Sequence, residues 1–101
     1  MLAEFTVLPL GVGESLSRYV AKSIELIKAS GLPYRMNPMG TVVEGTYDEV
    51  MALIKRCHDR MLTDTDRVVT TIKIDDRKGR TGCLDRKIEA VQEKVGFEIS
   101  K

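Results

Sequence analysis

Apolar and polar positions alternate in two long segments, one at the start of the chain and one near residue 70. The segment Leu2–Leu10 reads LAEFTVLPL, and its alternation predicts a strand with two different faces. The segment Arg67–Asp75 reads RVVTTIKID and is rich in β-branched residues, which favour strands. Between them, residues 34–44 predict two short strands joined at Asn37-Pro38, although one bulged strand fits the same residues. The alternation therefore indicates up to four strands.

Three other segments carry apolar residues at helical spacing. The first runs from a predicted N-cap at Ser15 to a predicted left-handed stop at Gly31. The second begins at Thr46, which forms a capping box with Glu49, and ends near residues 63–66. Its apolar stripe consists of Val50, Leu53, Ile54, Cys57 and Met61. The third ends at Gly96, and its apolar face consists of Leu84, Ile88, Val91 and Val95.

The order of these elements is β-α-β-β-α-β-α. Four strands with two crossover helices predict a ferredoxin-like α+β sandwich, in which a four-stranded antiparallel sheet has helices on one face. The last helix is appended at the C-terminal end. We expect one domain over residues 1–101, with the first and last strands side by side near the centre of the sheet.

The sheet face away from the two crossover helices is predicted to mix charged and apolar side chains. Lys73 lies between two isoleucines, and its charge must reach water or a carboxylate such as Asp75, two residues along the same face. A solvated face with ordinary ion pairs explains this mixture. A face that meets a second subunit and leaves a polar pocket explains it equally well. The other residues expected there are Glu4, Thr6, Leu8, Val42, Glu44, Val69 and Thr71.

Composition narrows the classes of function. The net charge of +1 gives no bias toward nucleic acid or an acidic membrane, so neither is expected as a partner. Two cysteines are too few for a disulfide framework. The start of the chain lacks the basic and apolar regions of a signal peptide, and no apolar run is long enough to span a bilayer. These features predict a cytoplasmic protein.

No combination of residues indicates catalysis or a metal site. His58 is the single histidine, and its neighbour Cys57 points about 100° away on a helix, so we expect structural roles for both. Gly11-Val12-Gly13 precedes a helix but lacks the third glycine and the lysine of phosphate-binding turns. We therefore predict no enzyme. An enzyme subunit with Glu44, Lys73 and Asp75 as acid–base groups stays open.

Three segments, taken in order, resemble the small thiamine-binding protein family, the single-domain relatives of YkoF. They are Glu4–Gly11 (EFTVLPLG), Met39–Gly45 (MGTVVEG) and Thr71–Arg77 (TIKIDDR). The resemblance covers nearly the whole chain. It implies a ferredoxin-like fold and homodimers that pair as homotetramers. It also implies binding of thiamine or its hydroxymethylpyrimidine part, without catalysis and without a further cofactor.

The resemblance directs attention to polar residues that suit an aminopyrimidine and a cationic thiazolium ring. The Glu44 carboxylate would accept from the exocyclic amine and offset the cation, which makes it the predicted anchor. Thr6 and Asn37 would complete the polar edge, and the backbone at Gly40 would allow close approach. Met39 would contact the ring through sulfur. The predicted ligand set is completed by Lys73 and Asp75. A regulatory assembly module remains an alternative to a binding protein.

Overall fold

The chain folds in the β-α-β-β-α-β-α order that its sequence predicts, and the computed structural model describes residues 1–13 and 16–101. The predicted cap at Ser15 lies outside the described residues. The strands are β1 (Leu2–Pro9), β2 (Tyr34–Asn37), β3 (Gly40–Glu44) and β4 (Val68–Asp75). The helices are α1 (Ser17–Ala29), α2 (Tyr47–Leu62) and α3 (Cys83–Gln92). Two strands joined at Asn37-Pro38, rather than one bulged strand, form the middle of the chain.

The four strands form one antiparallel sheet in the order β2-β3-β1-β4. In β1, one of the two inner strands, Phe5 lies opposite Thr41 of β3 on one side and Ile72 of β4 on the other. The first and last strands lie side by side as expected, but the expectation that β4 lies near the centre is wrong, because β4 is an edge strand. The β2–β3 hairpin occupies one side of β1, so the last strand can pair only on the other side, where no further strand follows it.

One sheet face, which we call the covered face, packs against α1 and α2. Ala3, Phe5 and Val43 project from it and are buried against Ile27 of α1. All five residues of the predicted α2 stripe are buried. The apolar side chains of the covered face pack against the apolar sides of α1 and α2, and this layer forms the core.

The predicted capping box fixes the start of α2. The Thr46 hydroxyl accepts a hydrogen bond from the Glu49 amide at 3.2 Å, and the Glu49 carboxylate accepts one from the Thr46 amide at 3.0 Å. These hydrogen bonds hold the pKa of Glu49 below its ordinary value. A local sequence signal therefore sets where the helix begins.

The opposite face, which we call the open face, is not bare along its whole length. The backbone amides at the start of α3 bind Glu44, while Asp85 of α3 pairs with Arg35 of β2 at 2.6 Å. Lys87 of α3 pairs with Asp75 of β4. Strand register places these sheet residues on the open face, so α3 covers one end of the face that was expected to be uncovered. The helix ends at Gln92, before the predicted stop.

Among the described residues, none of the helices combines the length and the hydropathy needed to cross a bilayer. The same residues contain no cluster of three or more histidine, cysteine, aspartate or glutamate side chains that could bind a metal ion.

Candidate ligand-binding site

The hairpin of β2 and β3 is shorter than the strand beside it, and this leaves a gap at one end of the sheet. β1 pairs with β4 from Leu2 to Pro9, but it pairs with β3 only from Leu2 to Phe5. Beyond Phe5, the edge of β1 on the β3 side faces the hairpin turn instead of a strand. This gap opens a cavity next to the core.

The cavity has a volume of about 520 Å³ and lies between α1, the second half of β1 and the hairpin. Its walls are mostly apolar: Phe5 and Val7 come from β1, and Val20, Ile24 and Ile27 from α1. The described lining residues are all uncharged. A volume and lining of this kind suit a small, largely apolar ligand with a few polar groups.

The side-chain polar groups of the cavity are hydroxyls and one amide. Ser23 of α1 and Thr41 of β3 line it, together with Asn37 at the hairpin turn. Thr41 is only 7% exposed, so it lies in the inner part of the cavity wall. The sequence reading did not single out Ser23 or Thr41. Two sequence features could have indicated them as site residues. Ser23 is a serine within the apolar stripe of α1, and Thr41 is a threonine on the covered side of β3, two residues before Val43.

The free edge of β1 adds backbone hydrogen-bonding groups. The Leu10 amide donates to the Arg67 carbonyl at 2.9 Å, which shows that it points toward β4. Along an antiparallel strand, hydrogen-bonding directions alternate, so the amide and carbonyl of Val7 point the other way, toward the cavity. The strand thus presents one donor and one acceptor side by side.

Four of the seven predicted ligand residues line this cavity: Thr6, Asn37, Met39 and Gly40. Met39 is 86% exposed and stands at the hairpin turn by the mouth. Gly40 is closely packed on β1, since a Cβ there would lie 3.3 Å from Cγ2 of Thr6. The structure therefore brings Thr6 of β1 together with the three predicted residues of the hairpin.

The other three predicted residues lie elsewhere. Glu44 is four residues from Gly40, about 13 Å along β3. Its Oε2 accepts from the Cys83 amide at 2.8 Å, and its Oε1 accepts from the Leu84 amide at 3.3 Å. Both carboxylate oxygens therefore bind the start of α3, an arrangement that also suits the positive end of a helix dipole.

Asp75 and Lys73 belong to the open face. Asp75 pairs with Lys87 of α3, and the hydrogen bond from Lys87 holds the pKa of Asp75 below its ordinary value. Lys73 lies directly opposite Glu4 in the register of β1 and β4. These two residues are separated from the cavity by the sheet itself.

The histidine and its neighbouring cysteine have contacts within the fold. His58 Nδ1 lies 2.6 Å from the Thr70 hydroxyl, which links α2 to β4. The Cys57 thiol is buried 3.9 Å from the Ser23 carbonyl, and burial raises its pKa. A buried thiol with a raised pKa is a poor nucleophile.

Comparison with known proteins agrees with this architecture. The model of a family described as thiamine-binding protein matches residues 3–92. A UPF0045 protein of Methanocaldococcus jannaschii is 44% identical over 93 residues, which cover 92% of this chain and 93% of that protein. A UPF0045 protein of Methanothermobacter thermautotrophicus is also 44% identical, over 96 residues, covering 92% of this chain and 97% of that protein.

Solved structures share the fold. The crystal structure of the Methanocaldococcus jannaschii protein has a TM-score of 0.84 at 44% identity and covers 91% of this chain and 95% of that one. A Thermotoga maritima protein, described as a candidate for thiamine biosynthesis or salvage, has a TM-score of 0.77 at 24% identity. That match covers 88% of this chain and 96% of the other. With the family model spanning nearly all of the sheet and helices, the chain belongs to the thiamine-binding protein family.

Proposed function

We propose that this chain is a cytoplasmic, non-catalytic binding protein for the aminopyrimidine part of thiamine, and that the ligand occupies the cavity between α1 and the β2–β3 hairpin. One observation carries the proposal: the cavity has both a free edge of β1 and, among the described residues that line it, only uncharged side chains. Family membership supplies the ligand class.

The polar edge of an aminopyrimidine matches the backbone of Val7. The exocyclic amine is a donor and the adjacent ring nitrogen is an acceptor. The Val7 carbonyl can accept from the amine while the Val7 amide donates to the ring nitrogen. The ring then extends the sheet edge in the manner of an added strand, with its hydrogen bonds made by main-chain groups.

The remaining groups of the cavity suit the rest of the pyrimidine. Apolar side chains of α1 contact the faces of the ring, and the hydroxyls of Ser23 and Thr41 are available to its hydroxymethyl group. Asn37 and Met39 stand toward the mouth. Thr6 and Gly40 hold the hairpin against β1, which shapes the cavity wall.

This arrangement favours the pyrimidine over the thiazolium ring. Placing a cation in a cavity whose described lining is uncharged costs free energy, because no carboxylate replaces its water. The thiazolium ring therefore stays at the mouth, in contact with solvent. Glu44, the anchor expected from the sequence, has no part in this mode of binding.

Calorimetry with the two halves of thiamine tests the proposal. We expect the hydroxymethylpyrimidine alone to bind within about tenfold of thiamine, a difference of about 1.4 kcal/mol. The thiazole alcohol alone should not bind. Binding of the thiazole half but not the pyrimidine half would contradict the proposal.

Two variants test where the ligand lies. Val20 lines the cavity and is 37% exposed, so Val20→Trp should fill the cavity without entering the core, and weaken binding by at least about a hundredfold. Ala21→Trp, on the exposed side of the same helix, is the matched control and should leave binding unchanged. Glu44→Gln should also leave it unchanged. Loss of binding in Glu44→Gln but not in Val20→Trp would return the site to the sequence-based anchor.

Self-association is a further part of the proposal. Leu8 and Val69 lie directly opposite each other on the open face, beyond α3, and are 39% and 43% exposed. Apolar pairs of this kind on a sheet face favour contact with a second copy. Light scattering should give a dimer or tetramer, and a mass near 11.3 kDa at micromolar concentration would contradict it.

A further inference from the structure

A second cavity, of about 360 Å³, lies at the opposite end of the sheet and on its other face. It is bounded by the start of β1, the loop that follows β4 and the first turns of α3. Asp75 is the one carboxylate among its described lining residues. Its cationic lining residues are Arg77, Arg80, Arg86 and Lys87.

The loop after β4 is built to bring two of these cations together. The Arg80 amide donates to the Arg77 carbonyl at 3.0 Å, which closes a four-residue turn. Gly79 occupies the third position with φ +77°, the value that a type II turn requires there. Lys78 belongs to the same turn but does not line the cavity.

Helix α3 supplies the other two cations. The side chain of Arg86 folds back over the start of the helix, since a Cβ on Gly82 would lie 3.4 Å from its Nε. Lys87 is paired with Asp75. Within residues 1–13 and 16–101, none of the ion pairs includes Arg77, Arg80 or Arg86. Three guanidinium groups are thus left as the excess charge of the cavity.

This concentration of positive charge is local, because the net charge of the whole chain is only +1. Guanidinium groups bind phosphate oxygens through paired hydrogen bonds, which a point charge such as an ammonium does not provide. We propose that the cavity binds a small anion that carries a phosphate or pyrophosphate group.

The site is distinct from the proposed pyrimidine cavity. That cavity lies on the covered face under α1, whereas this one lies on the open face under α3. The sheet stands between them. A phosphate bound here therefore belongs to a separate ligand molecule, and the inference does not rest on the proposed function.

Calorimetric titration with inorganic pyrophosphate, at about 50 mM salt to limit screening, tests the proposal. Arg80→Gln and Arg86→Gln should each weaken binding about tenfold or more, since each removes charge-assisted hydrogen bonds. Lys78→Gln removes the same charge from the same turn but lies outside the cavity, and should change affinity less than about twofold.

Two outcomes would overturn the site. One is the absence of saturable pyrophosphate binding up to about 10 mM, which corresponds to a negligible affinity. The other is equal weakening by Lys78→Gln and Arg80→Gln, which would show that the loop attracts anions only by its total charge. Val20→Trp should leave pyrophosphate binding unchanged, and its loss in that variant would contradict the separation of the two cavities.

A phosphate monoester serves as a second probe. Phenyl phosphate binding that depends on Arg80 as pyrophosphate binding does supports an organic phosphate ester as the ligand. Arg80-dependent binding of pyrophosphate alone supports a free inorganic anion.

Discussion

The two faces of the sheet carry helices of similar sequence pattern in very different surroundings. Helix α2 on the covered face and helix α3 on the open face both repeat apolar residues at helical spacing. Five α2 residues are buried, whereas none of the α3 residues is. The difference lies in the strands opposite, because α2 meets the apolar row that includes Phe5 and Val43, while α3 meets Glu44 and Asp75.

The same contrast between the two sheet faces explains why the cavity beside α1 and the cavity under α3 differ. Close packing of apolar rows on the covered face leaves an apolar gap where the hairpin ends, which suits a neutral ring. On the open face, polar contacts hold α3 above charged strands, and the space beneath it is cationic. Helical periodicity predicts that a helix forms. The composition of the strand row opposite decides what the helix can enclose.

The largest expected effect is a difference in how much α2 and α3 contribute to the free energy of unfolding. Leu53→Ala in α2 removes a fully buried side chain and should lower the free energy of unfolding by about 2–5 kcal/mol. Leu84→Ala in α3 removes a partly exposed one and should cost less than about 1 kcal/mol. Urea denaturation measures both. Equal losses would show that α3 is packed as tightly as α2, contrary to the contrast drawn between the faces.

A smaller effect is expected where α3 binds the sheet. Glu44→Gln replaces charge-assisted hydrogen bonds to two α3 amides by neutral ones, which should cost about 1 kcal/mol. The change should be local, so hydrogen exchange of the Cys83 and Leu84 amides should quicken while the core amides stay protected. Glu89→Gln, an exposed change on the same helix, is the control. Unchanged exchange at Cys83 and Leu84 would mean that Glu44 does not hold α3 in place.

The smallest effect concerns the cap of α2. Thr46→Ala should cost about 1 kcal/mol at neutral pH. Because the folded-state pKa of Glu49 is lowered, the contribution of its ionised form is present above the unfolded pKa, and is lost as pH falls through the folded one. The Thr46 amide that lowers this pKa is kept in Thr46→Ala, so the pH dependence is tested with Glu49→Gln, whose stability difference from wild type should shrink in acid. A difference that grows as pH falls would show the opposite sign of linkage.

Local sequence patterns predicted the elements of the covered face well. The position of β4 in the sheet and the contacts of α3 depend on residues far apart in the sequence. The bounds and buried stripe of α2 follow from a capping box and a helical period, both of which are read within a few residues. The edge position of β4 depends on the β2–β3 hairpin, which occupies the other side of β1. Glu44 is bound by amides 39 and 40 residues farther along the chain, which no local pattern reveals.

The candidate site divides in the same way. The family resemblance directed attention to Thr6, Asn37, Met39 and Gly40, of which the last three belong to a hairpin that its local turn residues predict. Ser23 was hidden in an apolar helical stripe, and the Val7 backbone groups have no signature in the sequence, because a free strand edge arises only when the neighbouring strand is shorter.

The pairing of the pyrimidine with the free edge of β1 is tested most directly by amide chemical shifts of the ¹⁵N-labelled protein during titration with hydroxymethylpyrimidine. We expect the largest shifts at the Val7 and Thr41 amides, with smaller shifts along α1 near Ser23. The amides of Cys83 and Leu84 should not move. Largest shifts at Cys83 and Leu84, with Val7 unchanged, would contradict the account and place the ligand at Glu44.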